Sequence, residues 1–171
     1  MVGFCVSSCS AAGTPQPGGD QAAEQAPVTD PFAYCAIVGN ADAPAAPYAG
    51  PAMPEALIAG VRLTFDVAPD APDEWVTRGL AWRCMDGQVY ACLAGANLPC
   101  LEQADTSRTP SDAIVDFCED DPDADVIPLS VAGRRTVYAW RCRGGRPEIG
   151  EQVAEPDARG FTAHVWHPIA P

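Results

Sequence analysis

The apolar positions of this chain fall into short runs separated by turn residues, and two of the runs repeat. The stretch 80–100, LAWRCMDGQVYACLAGANLPC, alternates apolar and polar positions on both sides of Asp86-Gly87. Residues 76–85 read as one strand, and Asp-Gly between alternating runs is a strong hairpin signal. The turn sets a register: Cys84 opposite Val89, Trp82 opposite Ala91, and Arg83 opposite Tyr90, where guanidinium and ring can pair. Cys84 and Cys92 then point to opposite faces and should not bond each other. The core of the stretch, Ala-Trp-Arg-Cys-x-x-Gly, returns at 139–145. There Gly144-Gly145 turns a second hairpin between strands at 136–142 and 148–153.

Other segments carry helix signals. Asp30 can cap a helix over 31–38, with Pro31 at its first position and Gly39 at its stop. Its face of Phe32, Cys35 and Ala36 should dock on the main body. Residues 40–54 form a Pro-rich ordered loop in which Tyr48 packs. A second helix is expected over 54–60, closed by Gly60. A strand follows over 61–67, with Val61, Leu63, Phe65 and Val67 on one side, then a loop over 68–74. The third helix lies within 106–121, capped by Thr109, with Pro110 first, Asp112 in its first turn, and a stripe of Ile114, Phe117 and Cys118. Its acidic end, 119–123, has the wrong sign for a helix C-terminus and calls for a cation nearby. Residues 126–129 and 161–167 read as further strands, and 157–160 as a turn. The sum is an α+β fold: a small antiparallel sheet of about five or six strands, with three short helices, in one domain over 31–171.

Charge narrows the function classes. The net charge is −13 with a pI near 4.2, and all ten cationic residues are Arg. Such a chain repels nucleic acid and an anionic membrane surface alike. Eight cysteines are dense for 171 residues. No Cys-x-x-Cys pair occurs, and His164 and His167 stand far along the chain, so a zinc site and other cofactors are not expected. The cysteines point to an oxidising compartment and a disulfide framework of Cys35, Cys84, Cys92, Cys100, Cys118 and Cys142. Six cysteines allow about 15 pairings. The expected set is Cys92–Cys100, Cys35–Cys118 and Cys84–Cys142.

The N-terminus supplies an address. Val6-Ser7-Ser8-Cys9 resembles the lipobox of bacterial lipoproteins. The resemblance implies that Cys9 is lipidated, becomes the mature N-terminus, and holds the protein to a membrane through acyl chains. Residues 1–9 are then the remnant of a signal whose full form has a cationic stretch and ~7–15 apolar residues. Residues 10–30, rich in Pro, Gly, Ala and Gln, read as a disordered tether. No later run approaches the ~18 apolar residues of a membrane span.

Candidate chemistry is sparse. Asp121-x-Asp123-x-Asp125 begins like a calcium loop, yet Val126 replaces its glycine and Ala132 its closing Glu. Arg134, Arg135, Arg141, Arg143 and Arg146 could grip an anion, with Arg141 and Arg143 on one strand face. Pairing with the chain's own carboxylates is the stronger expectation. His164 and His167, with Asp157, offer acid–base work, but on a strand they would point to opposite faces. No nucleophile elbow or phosphate loop occurs. The loop 93–99 is pinned at both ends by cysteines and can present Asn97 and Leu98 to a partner at little entropic cost. The expectation is an exported, lipid-anchored envelope protein whose non-enzymatic domain binds a protein or glycan ligand. Two alternatives remain. The paired Tyr/Trp-x-Cys-x-x-Gly hairpins resemble those of small membrane-bound lysozyme inhibitors, which implies a lysozyme- or protease-inhibitor-like role. The other is an envelope hydrolase using carboxylates with His164.

Overall fold

The computed structural model describes residues 26–94 and 99–171. The lipobox at Val6–Cys9, most of the tether, and Asn97 and Leu98 lie outside the described residues. In chain order the elements are α1 (Pro31–Val38), α2 (Glu55–Thr64), α3 (Asp73–Thr77), β1 (Leu80–Met85), β2 (Gln88–Leu93), α4 (Asp112–Asp120), α5 (Leu129–Ala132), β3 (Tyr138–Arg143), β4 (Arg146–Gln152) and β5 (His167–Ile169). The fold is α+β and disulfide-stapled. Its strands divide between two antiparallel sheets, ordered β1-β2-β5 and β3-β4. Val28, which the sequence assigns to the tether, pairs with Tyr48 of the body.

Both hairpins form where the turn residues place them. Asp86 and Gly87 have φ of 51° and 79°, and Gly144 and Gly145 of 56° and 77°. Positive φ at both central residues gives the turn that matches strand twist. The first register is as expected, with Cys84 opposite Val89 and Trp82 opposite Ala91.

The repeat runs further than the hairpins. α1 is bonded to the first hairpin by Cys35–Cys84, and α4 to the second by Cys118–Cys142. Ala41-Asp42 follows Cys35 at the same spacing as Ala124-Asp125 follows Cys118. The Cys84 amide donates to the Ala41 carbonyl at 2.9 Å, and the Cys142 amide to that of Ala124 at 2.8 Å. Gly87 donates to the Gly39 carbonyl, and Gly145 to that of Pro122. The amides of Asp86 and Gly144 reach the side-chain oxygens of Asn40 and Asp123, both at 3.1 Å. Two halves are therefore built on one plan of helix, bridge, covering segment and hairpin.

This plan corrects the disulfide pairing. Cys92–Cys100 is as expected. Cys35 bonds Cys84 rather than Cys118, and Cys142 bonds Cys118, because each helix docks on the hairpin of its own half. Each bridge sits in a separate core. Cys35–Cys84 lies among Tyr34, Leu57, Val61 and Trp82, Cys118–Cys142 among Ile114, Ile127 and Trp140, and Cys92–Cys100 beside Phe161, Val165 and Trp166.

Several predicted elements take other forms. Residues 61–64 continue α2 instead of starting a strand. Gly60 does not end that helix. It lets β5 lie close, since a methyl there would collide with Ile169 Cγ2 and stand 3.0 Å from the Ala170 carbonyl oxygen. Leu63, expected on a buried strand face, is 86 % exposed on the outer side of α2. Residues 73–77 form α3, helped by Asp73 and Glu74 in its first turn, and β1 begins only at Leu80. Ser111, not Thr109, caps α4 by accepting the Ile114 amide. Residues 126–128 fall outside the named strands, while α5 covers 129–132. Residues 163–165 form a single 3₁₀ turn, leaving only 167–169 as strand.

Candidate functional site

Alternation along β1 sends Trp82 and Cys84 into the first core and Arg83 to the opposite face. Arg83 is fully buried. Its expected partner, Tyr90, lies opposite in register, but the guanidinium is held elsewhere. Its carbon stands 4.5 Å from the Phe161 ring centre and 4.3 Å from that of Trp166. The two rings meet edge to face, 6.0 Å apart. Aromatic faces attract a cation electrostatically, more strongly once water is excluded. Arg83 Nη2 donates to Asp157 Oδ2. Arg83 Nε and Nη1 meet no hydrogen-bond acceptor among the described residues.

Asp157 is positioned by its own turn. Its Oδ1 accepts the amides of Arg159 at 2.8 Å and Phe161 at 3.1 Å, and its carbonyl accepts the Gly160 amide. The next cation, Arg159, forks onto Asp42, with Nε–Oδ1 and Nη2–Oδ2 both at 2.9 Å. This bond and the Arg159 charge hold the Asp42 carboxyl below the usual range, with a further push from Arg83. A chain of alternating charge thus runs from Arg83 through the 157–159 turn to Asp42. It ties the first hairpin to the C-terminal segment and to the loop after α1.

A groove of about 390 Å³ opens beside this chain. One wall is Asp42, Ala43 and Pro44, and the other is Leu80, Ala81 and Trp82. Met53, Leu101, Phe161 and Trp166 complete a largely apolar lining. Leu101 is 82 % exposed at the groove, next to Cys100 of the Cys92–Cys100 bridge. Among the described residues, the pinned loop singled out in the sequence meets the groove only through the bridge that closes it, at Cys100. A hollow of about 450 Å³ near Phe32, Val89 and Ile169 is larger, but no charged side chain lines it.

The other sequence candidates are dispersed. Arg141 pairs with Glu148 at 3.1 Å and Arg143 with Asp125 at 2.9 Å, so both are matched internally. Arg143 is also a cation close to the acidic end of α4. Asp123 accepts the Gly144 amide and Asp125 holds Arg143, so the calcium-like carboxylates serve the second turn. Among the described residues no group of three metal-ligating side chains gathers. His164 is exposed on the 3₁₀ turn, His167 meets Phe65 edge to face with ring centres 4.9 Å apart, and Asp157 is occupied by Arg83. The three are not brought to one place.

Sequence reasoning missed Asp42, Pro44 and the cage of Arg83, Asp157, Phe161 and Trp166. One signal was present: Ala-Asp at equal spacing after Cys35 and Cys118 marks where each covering segment meets its hairpin. No family model, curated protein or solved structure matches this chain.

Proposed function

We propose that the chain is an exported, lipid-anchored protein of the cell envelope, whose disulfide-stapled domain binds a partner rather than catalysing a reaction. One observation carries this reading: three disulfides, each set in a separate small core. Thin cores stapled in this way belong to an oxidising, extracytoplasmic setting. No helix among the described residues is long and apolar enough to cross a membrane. Lipidation of Cys9, implied by its lipobox resemblance, supplies the hold, and the Pro- and Gly-rich stretch after it sets the domain away from the bilayer. The groove at Leu80–Trp82 offers the binding surface. Its titratable neighbours, Asp42 and Asp157, are engaged with arginines, which favours binding over acid–base work.

The test is expression behind a complete lipoprotein export signal in a bacterial host fed radiolabelled palmitate. The expected result is label on the wild type and none on Cys9→Ser, with the variant released from the membrane pellet. Label-free wild type found in the soluble fraction would overturn the anchor. A photo-crosslinker at Leu101 should capture an envelope component in the oxidised protein only. The inhibitor variant, favoured by the two Trp-x-Cys hairpins, predicts that the purified chain slows lysozyme turnover. Unchanged turnover removes that variant.

A further inference from the structure

The two halves differ in how the segment after the helix leaves its hairpin, and that difference opens the groove. In the second half the segment after Ala124 stays along the outer edge of β3. The Ile127 amide donates to the Trp140 carbonyl at 2.7 Å, and Ile127 is buried with Trp140 and Cys142. In the first half Ala41 exchanges both backbone bonds with Cys84, at 3.1 and 2.9 Å, on the edge away from β2. Backbone groups alternate sides along an antiparallel strand, so Leu80 and Trp82 turn theirs to the same outer edge. The residue at the place of Ile127 is Pro44, which has no N–H to give. After Ala41 the segment leaves the strand, with Asp42 bonded to Arg159. Among the described residues no donor meets the Trp82 carbonyl. The groove is the gap between 42–44 and β1.

We propose that this gap accepts an extended segment of a partner protein. The segment adds to β1 as an antiparallel strand, gives an N–H to the Trp82 carbonyl, and seats an apolar β-branched side chain on the Trp82 face of the groove beside Met53, as Ile127 packs beside Trp140. The chain itself shows the fit, because Ile127 does both things on the matching hairpin. Adding a strand to an open edge is a common mode of peptide recognition: backbone bonds give affinity and side-chain pockets give selectivity. The net charge of −13 favours cationic residues flanking the apolar one. The inference rests on the binding role proposed above and names the partner's chemistry.

The probe is the peptide Arg-Ala-Arg-Val-Ile-Pro-Arg, which copies 124–128 with Arg in place of Asp125. Titrated into the full oxidised chain, it should shift the amide resonances of Leu80, Trp82 and Leu101, with a dissociation constant below ~1 mM. Methylating the Ile nitrogen removes the donor and should weaken binding about tenfold or more. Pro44→Ile gives the chain its own N–H for the Trp82 carbonyl, and should likewise weaken the unmethylated peptide about tenfold. No response at ~1 mM peptide, or equal binding of the methylated peptide, overturns the slot whether or not Pro44→Ile folds. A dimer of the free chain that the peptide dissociates would assign the slot to a second copy and overturn the partner. Leu101 crosslinking without peptide binding removes the slot and leaves the binding role standing. Peptide binding without palmitate on Cys9 supports the slot and removes the anchor.

Discussion

Arg83 and Arg141 occupy the same place in two hairpins of the same local sequence, yet one is sealed and the other stands in water. Arg83 is 0 % exposed and Arg141 has 43 % of its side chain exposed. Both hairpins bury the preceding Trp and the following Cys, and both disulfides run to a helix upstream. What differs is the layer over the Arg face. In the first half the 157–169 segment folds across β1 and β2, bringing Asp157, Phe161 and Trp166. In the second half, among the described residues, that face is left partly uncovered, and Arg141 pairs with Glu148 on the neighbouring strand. The repeated motif therefore fixes a scaffold. The covering segments decide whether its arginine becomes part of a buried charge network or a surface ion pair.

The comparison can be broken in graded ways. Reduction comes first: each bridge contributes about 2–4 kcal/mol, and together they match the whole stability of an ordinary domain. Dithiothreitol should unfold both halves, seen as loss of near-ultraviolet dichroism; an unchanged melting temperature would deny the bridges that role. Next come the arginines. Arg83→Ala leaves Asp157 buried without its cation and should cost about 3–5 kcal/mol, while Arg141→Ala should cost no more than about 1 kcal/mol. Chemical denaturation of the two variants measures the contrast. The double variant Arg83→Met, Asp157→Leu should recover much of the loss, because apolar groups need no counter-charge.

Gly60→Ala reaches only the first half. Its methyl meets Ile169, and about 1–3 kcal/mol is expected, with the second hairpin keeping its amide protection. The smallest effect is that of pH. The folded-state pKa of Asp42 lies below its unfolded value, so the Arg159 bond stabilises the fold above about pH 4 and is lost as pH falls through the folded value. The gap in melting temperature between wild type and Asp42→Asn should be level at neutral pH and close in acid. A gap that widens in acid would contradict the assignment.

Local chemistry made the hairpins legible. Asp86-Gly87 and Gly144-Gly145 specify their turns through φ alone, and the register of Cys84 follows from the turn. Asp30 and Pro31 likewise mark α1. Long-range packing was not legible. Gly60 looks like a helix stop until β5 is known to press on it. Val61, Leu63 and Phe65 fit a strand as well as one turn of helix, and only the burial of Leu57 and Val61 together decides. Cys92–Cys100 was legible from its short spacing, but the other two pairs failed because a Cys84–Cys142 bond would join hairpins that lie in separate cores. The burial of Arg83 depends on Asp157, which lies 74 residues away, and nothing local to either residue announces the partner. The groove was not legible, since the loop residues the sequence singled out, Asn97 and Leu98, lie outside the described residues, and nothing local marks Pro44 as the residue that leaves β1 uncovered.

The most direct test is a non-reducing peptide map of the full chain, purified without reductant. If each half is closed by its own bridge, the linked peptides will contain Cys35 with Cys84, Cys118 with Cys142, and Cys92 with Cys100. A link from Cys35 or Cys84 to Cys118 or Cys142, or free thiols at these positions, would contradict the account.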